Sequence, residues 1–240
     1  MKTETDFSPA ANRIASPSSG LSAVLAIAAK DATTELRRRT ALVAVLFFAA
    51  TALALVSFAI GPFGLTADDR PPVQAALLWI ILFFAAATGL PRAFAHEEES
   101  GTALALRKTV PATRVLAGKA IFNFGLFLAI AAVTVPGVAI LLEAHAGSAS
   151  GLAATVVAGG YGLAVVSTFL SALSARAGQR HVLFVLIAFP LLSPLLLTAI
   201  SATLEAFRGG FPWTSLRVLI AYDGAATCAA YLLAAVAWEE

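Results

Sequence analysis

Six apolar runs, each long enough to cross a bilayer, take up most of the chain: Ala41 to Gly61, Val73 to Phe94, Ala117 to Leu142, Gly151 to Leu173, Val182 to Leu204 and Leu216 to Trp238. A spanning helix needs about 20 predominantly apolar residues at about 1.5 Å of rise each. The runs are apolar all round and show no alternation of period two. In hydrocarbon every backbone polar group has to be paired within its own helix or in a closed barrel, so helices are expected. The fold class that follows is all-α, a polytopic membrane protein with six transmembrane helices. A content of 59% hydrophobic and only 12% charged residues excludes water as the solvent for most of its surface.

The loops between the runs are too short to hold a soluble domain of about 50 residues. Any ATPase working with this chain is therefore expected to be a separate polypeptide. Residues 1–20, with Ser8-Pro9 and Ser16-Pro17-Ser18-Ser19-Gly20, lack an apolar face and read as a disordered tail ahead of a membrane domain over 21–240. From Leu21 the spacing of Leu21, Val24, Leu25 and Ala28 predicts an amphipathic helix on the cytoplasmic leaflet, with Arg37, Arg38 and Arg39 towards anionic headgroups.

Charge placement predicts orientation. Thirteen of the sixteen Lys and Arg residues fall before the first run or in the second and fourth gaps, from Lys2 to Arg39, Arg92 to Lys119, and Arg176 with Arg180. Only Arg70, Arg208 and Arg217 fall in the others. Basic loops stay inside, so both termini and the second gap are expected in the cytoplasm of a cell inner membrane. The single Cys228 lies within the last run and permits no intrachain disulfide.

Groups that could carry chemistry are sparse, and no catalytic residue is assigned. His96-Glu97-Glu98-Glu99 lacks the second His, four residues on, that would put two ligands on one helical face, so no metal site is expected. Gly118-Lys119 is not a phosphate loop, because Thr113 stands where its first Gly belongs and Ala120 where its hydroxyl belongs. Asp223, seven residues into the last run, is different: an acid inside a span costs about 2.5–3.5 kcal/mol on insertion scales and is a functional candidate by default. Its alternative is a carboxyl satisfied by Tyr222 or a neighbouring helix. Pro136, Pro190 and Pro194 remove backbone donors and are expected to bend their helices, as static kinks or as hinges. Gly151, Thr155 and Gly159 form a stripe of small residues for close helix approach, within the chain rather than between copies of it.

The second gap is the most informative segment. Glu97, Glu98 and Glu99 open it, Gly101 and Thr102 follow, Arg107 and Lys108 come later, and Pro111 closes it, an order that suits short helices and their dipoles. Composition leaves open whether this is a solvated loop or a docking element.

In these residues the chain resembles the CcmB-like heme-exporter permeases of the cytochrome c maturation system, themselves similar to the wider class of ABC-2 permeases. The resemblance rests on Lys30-Asp31 with Glu35-Leu36-Arg37, on Leu78-Trp79, and on Glu97, Glu99, Gly101 and Thr102 followed by Pro111 and Gly118-Lys119 through Asn123. It extends through Pro190, Pro194, Tyr222-Asp223 and the terminal Glu239-Glu240. His96 departs from it, standing where a basic residue is expected.

The resemblance implies a permease with no nucleotide site of its own, paired with a cytoplasmic ABC ATPase that binds the ATP. It also implies other maturation proteins, a heme chaperone and a second permease copy as partners. Heme is the implied cargo, to be attached to c-type apocytochromes outside the membrane. Glu97, Glu99, Gly101, Thr102, Arg107 and Lys108 are the implied ATPase-coupling residues. No run offers paired His or Met ligands for heme, since the only Met is Met1. The competing readings are an ABC-2 permease for a lipid, glycan or drug, a scaffold that only positions assembly factors, and a proton-coupled carrier built on Asp223. Nucleic acid is not an expected partner.

Overall fold

The computed structural model describes residues 20–37, 39–60, 66, 68–89, 111–176 and 180–239. Among these, seven helices and no strands are found: α1 (Gly20–Arg37), α2 (Arg39–Ile60), α3 (Arg70–Gly89), α4 (Ala112–Leu141), α5 (Ala149–Arg176), α6 (Arg180–Phe207) and α7 (Trp213–Glu239). The chain is a polytopic helical membrane protein. Among the described residues, five helices have an apolar stretch long enough to cross a membrane, namely Arg70–Ala87, Ala112–Leu141, Ala149–Leu173, Ala188–Phe207 and Trp213–Ala234. The expected first span corresponds to α2, helical over 22 residues, with Val43–Ala59 as its apolar stretch among the described residues.

The bundle is packed as lipid demands. Water does not drive these helices together, so they associate through close approach and internal hydrogen bonds. Large apolar side chains such as Phe47, Phe58, Ile140 and Leu232 face outward, while Ala75, Ala85, Ala86, Ala199, Ala202 and Ala206 line the contacts inside. Several buried polar side chains are partnered across helices. Trp79 Nε1 donates to Thr203 Oγ1 at 2.8 Å, joining α3 to α6. Asn123 Nδ2 donates to Thr168 Oγ1 at 2.7 Å, joining α4 to α5.

The expected small-residue stripe is an intrachain feature. An added Cβ at Gly151 would meet the Pro212 ring, and Thr155 donates back to the Gly151 carbonyl at 2.8 Å. An added Cβ at Gly159 would run into the ring of Trp79, and one at its neighbour Gly160 into the ring of Phe127. The two rings stack with centroids 6.4 Å apart, so aromatics from α3 and α4 share one notch in α5.

Hydrogen bonds also tie one end of the bundle. Ser57 and Gln74 donate to the Leu141 and Leu142 carbonyls at 2.7 and 2.6 Å, and Arg70 pairs with Glu143 at 3.5 Å. The end of α2, the start of α3 and the end of α4 therefore lie together. Ser148 N–H reaches the Ala206 carbonyl at 2.9 Å, and the chain turns from α6 to α7 through Gly209 at φ +89°, a conformation that favours glycine.

Candidate functional site

At the opposite end, where α4 begins, the chain carries a charge out of water. Pro111 precedes α4 with extended backbone (φ −56°, ψ 140°), and its carbonyl receives the first helical N–H groups, from Arg114 and Val115. At 30 residues the helix is about 45 Å long, roughly 15 Å more than a hydrocarbon core. Counted back from Leu141, the surplus is the stretch Ala112 to about Ile121.

Lys119 sits in that overhang with its side chain wholly enclosed, and its ammonium pairs with Asp31 of α1 at 3.2 Å. Lys30, half exposed, reaches the other oxygen of the same carboxylate at 3.3 Å. One residue earlier, a Cβ on Gly118 would lie 2.8 Å from Ile27 Cβ and 2.9 Å from the Val24 carbonyl oxygen. Only a glycine lets α1 lie this close, and that proximity puts Asp31 within reach of Lys119. Ala23 and Ile27 are buried on this side of α1, while Leu21 and Leu25 are left exposed for lipid. The amphipathic helix expected from Leu21 onward thus has two apolar faces. Lys30-Asp31 and Gly118-Lys119, separate sequence motifs, are the two halves of one clamp.

The sequence candidates Glu97, Glu99, Gly101, Thr102, Arg107 and Lys108 lie outside the described residues, as do His96 and residues 1–19. The clamp begins seven residues beyond Pro111, where the described chain resumes.

Asp223 is the second charge-bearing group withdrawn from water. α7 starts at Trp213, three residues before the expected run, so Asp223 lies ten residues in, about 15 Å along the axis. Its side chain is 7% exposed, and Oδ1 is enclosed with no hydrogen-bond partner among the described residues. It lies against Gly162 of α5, where a Cβ would occupy the carboxylate's place. The alternative in which Tyr222 satisfies the acid is corrected: the Tyr222 hydroxyl donates to the Leu191 carbonyl of α6 at 2.7 Å. Adjacent residues on a helix face different ways, which separates the two side chains.

The three prolines lie inside helices, Pro136 in α4 and Pro190 and Pro194 in α6. Pro194 has no N–H for the Pro190 carbonyl, and Ser193 Oγ donates to that carbonyl instead at 3.0 Å. Beside Pro136, Gly137 admits the Leu53 side chain of α2, which lies 2.5 Å from an added Cβ.

Sequence reasoning missed two elements of the interior, Gly160 and the Trp79–Thr203 bond; Asn123, already singled out in the sequence, has its Oδ1 enclosed without a partner among the described residues. A second glycine beside Gly159 was the available signal for the first. Among the described residues no three His, Cys, Asp or Glu gather as a metal site. His145 lies in an exposed loop with Nδ1 2.9 Å from the Glu143 carbonyl.

The family model described as CcmB protein matches residues 22–239. No curated protein and no solved structure gives a match.

Proposed function

Because the chain belongs to the CcmB protein family, a heme-exporter permease component of cytochrome c maturation, we propose that it works as the membrane half of an ATP-driven machine whose engine is a separate ABC ATPase. The observation that carries this reading is the family match over nearly the whole chain. The clamp adds a mechanical basis, because the segment between α3 and α4 leads straight into the helix that grips α1.

In this reading the chain crosses the cell inner membrane six times with both termini in the cytoplasm, α2 supplying the sixth crossing. The basic residues Arg92, Arg107, Lys108, Arg114 and Lys119 then lie inside, as loop cations do. Two permease copies pair with the ATPase and work beside other maturation proteins and a heme chaperone. Glu97, Glu99, Gly101, Thr102, Arg107 and Lys108 form the surface on which the ATPase pushes. A displacement there enters α4 through Pro111 and reaches α1 through Lys119 and Asp31, shifting the bundle between two arrangements. Pro136, Pro190 and Pro194 are the proposed places of bending. Heme, or a heme-loaded chaperone released on the outer side, is the cargo.

The test is deletion of the gene, followed by heme staining of c-type cytochromes and immunodetection of their apoproteins. Exported apocytochromes without covalent heme are the expected result. Normal c-type cytochromes would refute the reading and favour another cargo.

A further inference from the structure

The groove beside Asp223 points past heme to a second kind of ligand. It lies between α4, α5 and α7 and has a volume of about 750 Å³, within the roughly 300–1,000 Å³ range of small-molecule sites. Along α7 it runs from Leu216 to Cys228, about 18 Å of helix, a slot suited to an elongated molecule. Its wall is almost wholly apolar, with Phe124, Val157 and Ile220 prominent.

Two polar features interrupt that wall. Thr227 Oγ1 donates to the Asp223 carbonyl at 2.6 Å, which leaves it to accept from the Tyr161 hydroxyl at 3.1 Å, so this pair is self-contained. Asp223 is not. It makes no ion pair among the described residues; Oδ1 is enclosed against Gly162, behind the groove wall, while Oδ2 is not enclosed and is the oxygen a ligand in the groove can meet. A withdrawn carboxylate with no partner is costly unless a cation or donor meets it. The neighbouring rings of Tyr161 and Phe124, packed edge to face with centroids 5.9 Å apart, offer faces that attract the same charge. Porphyrin propionates, being anionic, are the wrong complement for this place.

We propose that this groove is a lateral, bilayer-facing site for a lipophilic amine, whose protonated nitrogen is received by Asp223 and whose apolar body lies along α7. The site is separate from the ATPase-coupling reading and stands or falls without it.

The lone Cys228, exposed and on the groove wall, supplies a built-in reporter. The purified full chain in detergent micelles is titrated with dansyl-decylamine and with dansyl-undecanoic acid, probes of matched length and opposite charge. Binding is read by tryptophan-to-dansyl energy transfer over protein-free micelles, and alkylation of Cys228 by N-ethylmaleimide is followed by mass spectrometry. The amine is expected to bind at least about tenfold tighter than the acid, as a charge-assisted hydrogen bond allows, and to slow alkylation. Asp223→Asn should erase that preference. Gly224→Leu should block both probes, and since nothing lies within 4 Å of an added Cβ at Gly224, it fills the groove without crowding the bundle.

Equal affinity for the two probes, a preference that survives Asp223→Asn, or binding that leaves Cys228 alkylation unchanged would each overturn the proposal. Cross-linking of Cys228 to Cys228 between copies in native membranes would overturn it too, by assigning the groove to a contact between permeases.

Discussion

Removing Asp31 tests the clamp most directly. Asp31→Ala takes away the carboxylate that faces the Lys119 ammonium, a side chain with no solvent exposure. Breaking an enclosed pair by deleting one partner costs about 3–5 kcal/mol. Lys119 keeps a further interaction and Asp31 is 13% exposed, so the low end, about 3 kcal/mol, is expected. That energy weakens the docking of α1 on α4 about a hundredfold.

Amide hydrogen exchange, which reports local opening free energies, should therefore run about a hundredfold faster across α1 while the amides of α5 stay protected. The double variant Asp31→Ala/Lys119→Met removes both charges and should recover most of the loss, because an apolar pair is nearly neutral relative to an intact ion pair. Gly118→Ala should release α1 by a steric route that methionine at 119 cannot repair. Unchanged α1 exchange in Asp31→Ala, or no recovery in the double variant, would refute the claim that this ion pair holds α1.

Gly160→Ala puts a methyl group into the ring of Phe127 and should cost about 1–3 kcal/mol, read as a lower unfolding midpoint in micelles. Thr203→Val leaves the Trp79 indole N–H without its acceptor; a loss of about 1–3 kcal/mol and a shifted tryptophan emission are expected. Glu97→Lys with Glu99→Lys should weaken co-purification of the ATPase while the permease still inserts, and unchanged recovery of the complex would remove the docking role from these two acids.

The helices were legible because hydrocarbon imposes one rule on all of them: backbone groups pair locally and side chains are apolar all round. Their ends were less so. α7 begins at Trp213 rather than Leu216, where the Phe211 and Trp213 rings meet tilted at 45° with centroids 4.6 Å apart and the Pro212 carbonyl takes the Leu216 N–H. Local apolarity cannot register these contacts. Both halves of the clamp stood out in the sequence, but nothing within Lys30-Asp31 says that its partner lies 88 residues away. The notch at Gly159 and Gly160 was half visible for the same reason: the stripe belongs to α5, whereas the rings that fill it come from α3 and α4.

That notch has a bearing on how the protein can move. Trp79 is held at three points, by the Thr203 hydroxyl, by the close approach of Gly159 and by the ring of Phe127, which itself packs against Gly160. Four of the helices are thus keyed together as a lock holds its tumblers. Sliding one past another by a single residue would drive a ring into backbone, so α3 to α6 travel as a unit at this level, and transport has to be worked by whatever swings around that fixed hub.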